Sequence, residues 1–511
     1  MTQRTQHAQP QFAPLAAAII AVWCTAAPAA AVRQPLGAAM PTGLAGGGRG
    51  VAALMQALRA AAPGRGNRTT GVTTTRVVTS CADDGSGGTL REAIAAANNG
   101  DLIELGALTC STITLAQGAI PIEVDDLSVH GPGAQALAVD GAGLDRVLVD
   151  YGFGTLLLTG VTVRNGTNQI GGYKVAGGAC IIANGYVTLD HSVVSGCRSI
   201  GEGSYGGGIL SRRVTMYTSS LVNNVATGSL LNTLTAAYGA GAFAYRGTVN
   251  LYDSTVAGNI ATIDPANTHG SYDTGAGIFS DNGGVALRST FSGNSTDGTG
   301  AGIASHAGFV ISNSTISGNT AGKGGGGLFV RPAYPASIYN STITGNRASS
   351  GGGIYIDGNA EPVTLQSTIL AGNSASTGGA DLDAPAPQTV YGANNLIGFA
   401  GSALTVPSDT LHADPRLAAL ADNGGPTRTH ALLPGSPAID RGNNVENLGT
   451  DQRGDGFPRV RGAAADIGAF ETAPAGPATV RPAPAASPWM LGVLAGLIGL
   501  SGLRRRSRMR G

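Results

Sequence analysis

Between Ser254 and Asn373, aliphatic and polar residues alternate in short runs, and each run closes on Gly-Asn. The phrase Ser254-Thr255-Val256-Ala257-Gly258-Asn259 returns as Ser289–Asn294, Ser314–Asn319, Ser341–Asn346 and Ser367–Asn373, the last with one extra residue. A second phrase lies between the copies: Gly275-Ala276-Gly277-Ile278, then Gly300–Ile303, Gly325–Leu328 and Gly351–Ile354. Alternation of this kind puts every second side chain on one face of a strand. Recurrence at intervals of 25 to 35 residues marks a stacked repeat architecture. Helical periodicity is absent between residues 101 and 400, which excludes a helical solenoid.

The predicted fold is all-β, a right-handed parallel β-helix over residues 76–400. Less regular coils are visible earlier, at Leu127–Gly131, Leu158–Val163 and Val187–Cys197. Stacking the repeats gives each position a column. Asn224, Asn259, Asn294, Asn319, Asn346 and Asn373 form one, in which each amide bonds to the next along the stack. Ile209, Ala242, Ile278, Ile303, Leu328 and Ile354 form an aliphatic column assigned to the core. Their successors Leu210, Phe243, Phe279, Ala304, Phe329 and Tyr355 then point outward. Phe243, Phe279, Phe329 and Tyr355 are therefore expected to form an aromatic ladder on an outer face, suited to sugar rings or a partner surface.

The ends read differently. Phe12–Cys24 is an apolar run after a weakly basic start, and small residues follow up to Ala31, so residues 1–31 are predicted to be a secretory signal peptide. Residues 32–75 read as a flexible leader with a short helix at 51–62. Thr89-Leu90-Arg91-Glu92 has the form of a capping box and predicts a short amphipathic helix closing the first coil. Residues 401–472 are loop-rich and charged, and are expected to form a C-terminal cap packed back on the last coils. A Pro/Ala linker spans 473–488. In 489–511 an apolar run ends in Arg504, Arg505, Arg506, Arg508 and Arg510, the pattern of a sorting tail or membrane anchor.

Composition changes this picture little. Lys+Arg and Asp+Glu are 31 each, so no basic excess points to nucleic acid. Glycine contributes 81 residues, in keeping with many tight corners. Beyond Cys24 there are four cysteines, Cys81, Cys110, Cys180 and Cys197, and an even number in an exported chain reads as a disulfide framework. Three connectivities are open. Proximity within about one coil favours Cys81 with Cys110 and Cys180 with Cys197.

Several of these motifs carry a resemblance. Cys81–Ile94, with Thr89-Leu90-Arg91-Glu92-Ala93, resembles the N-terminal cap of bacterial exported β-helix proteins with a Ser-Leu-Arg-Glu-Ala motif. The Gly-rich and Ser-Thr-Ile-Ser-Gly-Asn phrases are similar to the repeats of polymorphic outer-membrane and autotransporter-like proteins. Asn423–Thr427, Gly435–Asp440, Asp451–Gly454 and Asp466–Glu471 look like the end of choice-of-anchor Q domain proteins. The resemblance implies a right-handed parallel β-helix, export and attachment to the bacterial surface or outer membrane. It brings no catalytic residues.

Catalysis finds little support in the residues. Glycoside hydrolysis needs two carboxylates flanking the bond, and the coils offer only the scattered Asp190, Asp253, Asp273, Asp281, Asp381 and Asp383. Asp190-His191 matches two residues of the pectate lyase pattern, without its Arg-x-Pro-x-x-Arg. Asp381-Leu382-Asp383 is a thin candidate for a hard cation, and the histidines show no metal spacing. No cofactor is expected. The expected role is adhesion or glycan binding at a cell surface; the alternative is a lyase or hydrolase acting on an acidic polysaccharide.

Overall fold

A computed structural model describes residues 73–169, 176–228, 236–263, 275–331, 335–358 and 362–473. Each turn of the chain lays down strands in a fixed order. One turn runs Ile181–Ala183, Tyr186–Asp190, Val193–Ser195 and Arg198–Gly201 before Ile209–Ser211 begins the next. Every strand pairs in parallel with its counterparts one turn before and after, so the same positions stack into sheets I, II, III and IV in that order. The result is an all-β parallel solenoid of about eleven turns. Sheet II is the longest, reaching from Thr75–Val77 to Leu404–Thr405. A short sheet V, made of Ala176–Gly177, Gly203–Tyr205 and Ala236–Tyr238, is added after sheet IV in the middle turns.

Register explains the core. Ile209, Ala242, Ile278, Ile303, Leu328 and Ile354 are aligned partners in sheet I and are buried. Each buried aliphatic side chain stabilises the fold by about 1.5–3 kcal/mol. The corners need left-handed backbone. Between sheets II and III this is carried by non-glycine residues, among them His191, Asp253, Arg288, Asn313 and Asn340, all with φ between 44° and 52°. Between sheets IV and I it falls to glycine. Gly325 has φ 68°, and a β-carbon on the following Gly326 would lie 2.4 Å from Gly352 O.

Both inner corners are zipped by side chains. The Oδ1 of Asn259, Asn294, Asn319, Asn346 and Asn373 each accepts from the backbone N–H and the amide of the preceding Asn, at 2.8–3.0 Å. Asp381 ends the column by accepting from Asn373 N and Nδ2 at 2.8 and 2.9 Å. Burial raises the Asp381 carboxyl above its ordinary value, against those bonds. Both carboxylates of the thin cation candidate Asp381-Leu382-Asp383 are engaged within the protein. Asp381 is the terminal rung, and Asp383 accepts from Ser350 Oγ. A serine column runs in parallel: the hydroxyls of Ser219, Ser254, Ser289, Ser314 and Ser341 accept backbone N–H groups one turn earlier at 3.0–3.2 Å.

The N-terminal end is closed by helix α1 (Leu90–Ala95), which buries Leu90, Ala93 and Ile94. Thr89 Oγ1 accepts from Glu92 N at 3.3 Å, but Thr89 N bonds to Ser86 O, so only one half of the capping box forms. Arg91 anchors the helix through Asp83 at 2.7 Å and the carbonyls of Gly118 and Ala119. Disulfides join Cys81 to Cys110 and Cys180 to Cys197.

The C-terminal segment packs back on the last coils, along one face of the solenoid as well as at its end. Ala400, Leu404 and Val406 pack on the end of the core. The chain then turns back along the outward face of sheet III, beside the solenoid. Gln452 is the centre of this contact: its amide donates to Thr290 Oγ1 and Thr427 Oγ1, both at 2.9 Å, and accepts from Thr315 Oγ1 at 2.6 Å. Ser317 Oγ lies 2.8 Å from His430 Nε2, whose Nδ1 lies 2.7 Å from Ala418 O. Since a carbonyl only accepts, the neutral ring donates from Nδ1 and receives the serine hydroxyl at Nε2. Burial holds His430 below the ordinary imidazole range. Behind this contact lies a buried ionic group. Arg453 pairs with Asp451 at 2.6 Å and lies over the rings of Phe457 and Phe470, while Arg459 is 3.7 Å from Glu471. Burial pushes Glu471 up to about 7, with Arg459 opposing it.

Among the described residues no helix is long and apolar enough to cross a membrane. The expected signal at 1–31, leader helix at 51–62, linker at 474–488 and tail at 489–511 lie outside those residues.

Candidate functional site

The aromatic row is present but is not an open ladder. Phe243, Phe279 and Phe329 do alternate out of the coil interior, yet they are 4%, 1% and 4% exposed. Over Phe243 and Phe279, sheet V is the reason. It swings Tyr205 and Tyr238 over the row, with Tyr238 edge-on to Phe279 at 4.8 Å and Tyr205 5.7 Å from Phe243. Tyr355 stacks on Phe329 at 6.1 Å and is half-buried. The expected binding ladder is thus corrected to a second apolar cluster outside the main core.

A partly exposed aromatic stack lies on sheet II instead. Asp190, Tyr217 and Tyr252 are register partners in successive turns. Tyr217 and Tyr252 stack with centroids 5.1 Å apart and planes 11° from parallel, and Tyr217 is 44% exposed. Four residues earlier on the same strands, Arg213 lies over the Tyr186 ring at 4.7 Å. Between them Thr188, Thr215 and Asn250 form a half-buried polar row. At the corner His191 Nδ1 sits 2.7 Å from Asp190 Oδ1, with His191 well exposed. This strip combines flat rings, hydroxyls, an amide, a guanidinium and a carboxylate–imidazole pair on a rigid sheet. Rings and hydrogen-bonding groups of this kind suit the apolar faces and hydroxyls of sugars. A sequence signal existed. Tyr217, Tyr252 and Tyr339 each stand two residues before a serine of the repeat column, a position the phrase-by-phrase comparison passed over.

The other acidic candidates do not converge. Asp253 is held by both arms of Arg288 at 2.7 and 2.6 Å. Asp281 accepts from Arg246 N at 2.7 Å and faces His306 at 3.2 Å. Asp273 lies outside the described residues. Among the described residues no three His, Cys, Asp or Glu side chains form a group able to hold a metal. One carboxylate is unusual: Asp150, buried at the end of a sheet I strand, is pushed up to about 8 by burial, with Asp125 and Asp126 adding to the shift and the Gly152 N–H opposing it.

Comparison with known proteins agrees with the architecture. The family model for the right handed beta helix region matches residues 247–401. No curated protein and no solved structure matches the chain.

Proposed function

We propose that this parallel β-helix protein is exported and displayed at a cell surface, where it binds glycan through the outward strip of sheet II. The observation that carries the reading is the stack of exposed Tyr217 on half-buried Tyr252 beside the Thr188, Thr215 and Asn250 row. Two disulfides support an oxidising compartment. The signal-like start and the apolar, arginine-ended tail support passage through the export machinery and retention at the membrane, with the tail as sorting signal or anchor. The direct test is a broad glycan array probed with the protein and with a Tyr217→Ser, Tyr252→Ser double variant. Binding that the double variant loses supports the reading; no binding, or equal binding by both, sinks it.

A second reading, cleavage of an acidic polysaccharide, rests on the Asp190–His191 pair. A carboxylate on one ring nitrogen leaves the other free to take a proton. Turnover of polyuronate that disappears in His191→Ala would favour it over binding alone.

A further inference from the structure

The outward face of sheet III is divided. Over the turns from Thr290 to Leu396 the protein's own C-terminal segment covers it, through the hydroxyls of Thr290, Thr315, Ser317 and Thr342. Over the earlier turns the same face holds a cavity of about 400 Å³. Its floor comes from the strands Thr112–Thr114, Ala138–Asp140, Thr162–Arg164 and Val193–Ser195. One wall is the loop carrying Gln135, pinned where Thr162 Oγ1 donates to Ala134 O at 2.7 Å and Gly133 N to Gly160 O at 2.9 Å.

We propose that this cavity is a second binding site, for a neutral sugar residue. The inference extends the glycan reading to a separate face and does not depend on sheet II. Its volume lies in the ordinary range of small-ligand sites. The lining offers hydroxyls from Thr112 and Ser195 and the Gln135 amide, beside an apolar patch at Leu137 and Val193. Charge decides the class of sugar. Arg164 Nε is bound to Asp140 Oδ2 at 2.7 Å, and Asn165 Nδ2 donates to the same oxygen at 2.9 Å. These bonds and the Ala142 N–H outweigh burial and hold Asp140 below the usual carboxylate range. The guanidinium is thus already paired, and a uronate would find no unpaired cation in the lining. A neutral sugar needs no counter-ion, and its hydroxyls accept from the Arg164 guanidinium, which lines the cavity and whose side chain is 40% exposed.

The experiment is titration calorimetry of the full chain with cellotetraose, mannotetraose and tetragalacturonate. The proposal expects a neutral tetrasaccharide to bind and Ser195→Trp, which fills the cavity from an outward strand position, to weaken it at least tenfold. Gln135→Ala, on the exposed loop, is expected to weaken it about threefold, and serves where Ser195→Trp melts earlier than the parent. The Tyr217→Ser, Tyr252→Ser variant is expected to retain this component. Binding lost in the tyrosine variant but kept in both cavity variants overturns the cavity proposal and leaves the sheet II reading standing. Tighter binding of tetragalacturonate, or no neutral ligand bound, overturns it as well. So does concentration-dependent dimerisation abolished by Ser195→Trp, which would assign the face to a second copy of the chain.

Discussion

Replacing Asn319 by alanine should cost more than any exposed polar substitution in the solenoid. The side chain makes four bonds inside the stack. Its Oδ1 accepts from Asn294 N at 3.0 Å and Asn294 Nδ2 at 2.8 Å, and its Nδ2 donates to Asn346 Oδ1 at 2.8 Å and Phe291 O at 3.1 Å. Asn346 Oδ1 keeps one partner, the backbone N–H of residue 319. The Asn294 N–H loses its partner in a fully buried place, as does one hydrogen of the Asn294 amide, whose other bond, to Val256 O at 3.0 Å, remains; the Phe291 carbonyl loses one of its donors. An unmet buried polar group costs roughly 1–3 kcal/mol, so after partial relaxation the total is about 4 kcal/mol. Because turns in a solenoid couple mainly to their neighbours, the loss should be local. Hydrogen exchange of the Asn294 amide reports it directly, and about 4 kcal/mol corresponds to exchange roughly a thousandfold faster. Thr320→Ala, at the exposed neighbouring position, is the control and should change exchange less than threefold. An Asn294 amide as protected in Asn319→Ala as in the parent would refute the column as a source of stability.

Three further outcomes follow from the same geometry. Asp150 has a folded pKa raised to about 8, so its contribution is full below the ordinary carboxylate pKa and is lost as pH rises through 8. Asp150→Asn should therefore flatten stability between pH 5 and 9 by roughly 4 kcal/mol, measured by urea unfolding. Opening Cys180–Cys197, which closes 17 residues in the core, by Cys197→Ser should cost about 3 kcal/mol in the same assay; an unchanged midpoint contradicts a structural role. Gln452→Ala removes the amide joining Thr290, Thr315 and Thr427 and should expose residues 411–472 to limited proteolysis, with the solenoid left intact.

Much of the fold was legible because a parallel solenoid repeats its constraints. Each inward position must be aliphatic, each tight corner must accept a left-handed residue, and each buried amide must meet another, so Asn259 or Ile278 can be read from its copies. The site was less legible because outward positions answer to what lies over them. Phe279 and Tyr217 both point away from the core, and only the insertion of sheet V after Arg198–Gly201 and Val225–Gly228 decides that the phenylalanine is covered and the tyrosine open. The role of Asp381 was hidden for a related reason. It has no counterpart in the repeat, since a column needs an end only once. The path of the C-terminal segment rests on contacts more than a hundred residues apart in sequence, such as Thr315 with Gln452, which no local pattern encodes.

The central claim is that glycan meets this protein at sheet II. It is tested most directly by a crystal structure of the protein soaked with the tightest glycan found on the array. The account predicts sugar density against the Tyr217 and Tyr252 rings, within hydrogen-bonding reach of Asn250 or Thr215. Sugar seated elsewhere, with these two tyrosines bare to solvent, would contradict it.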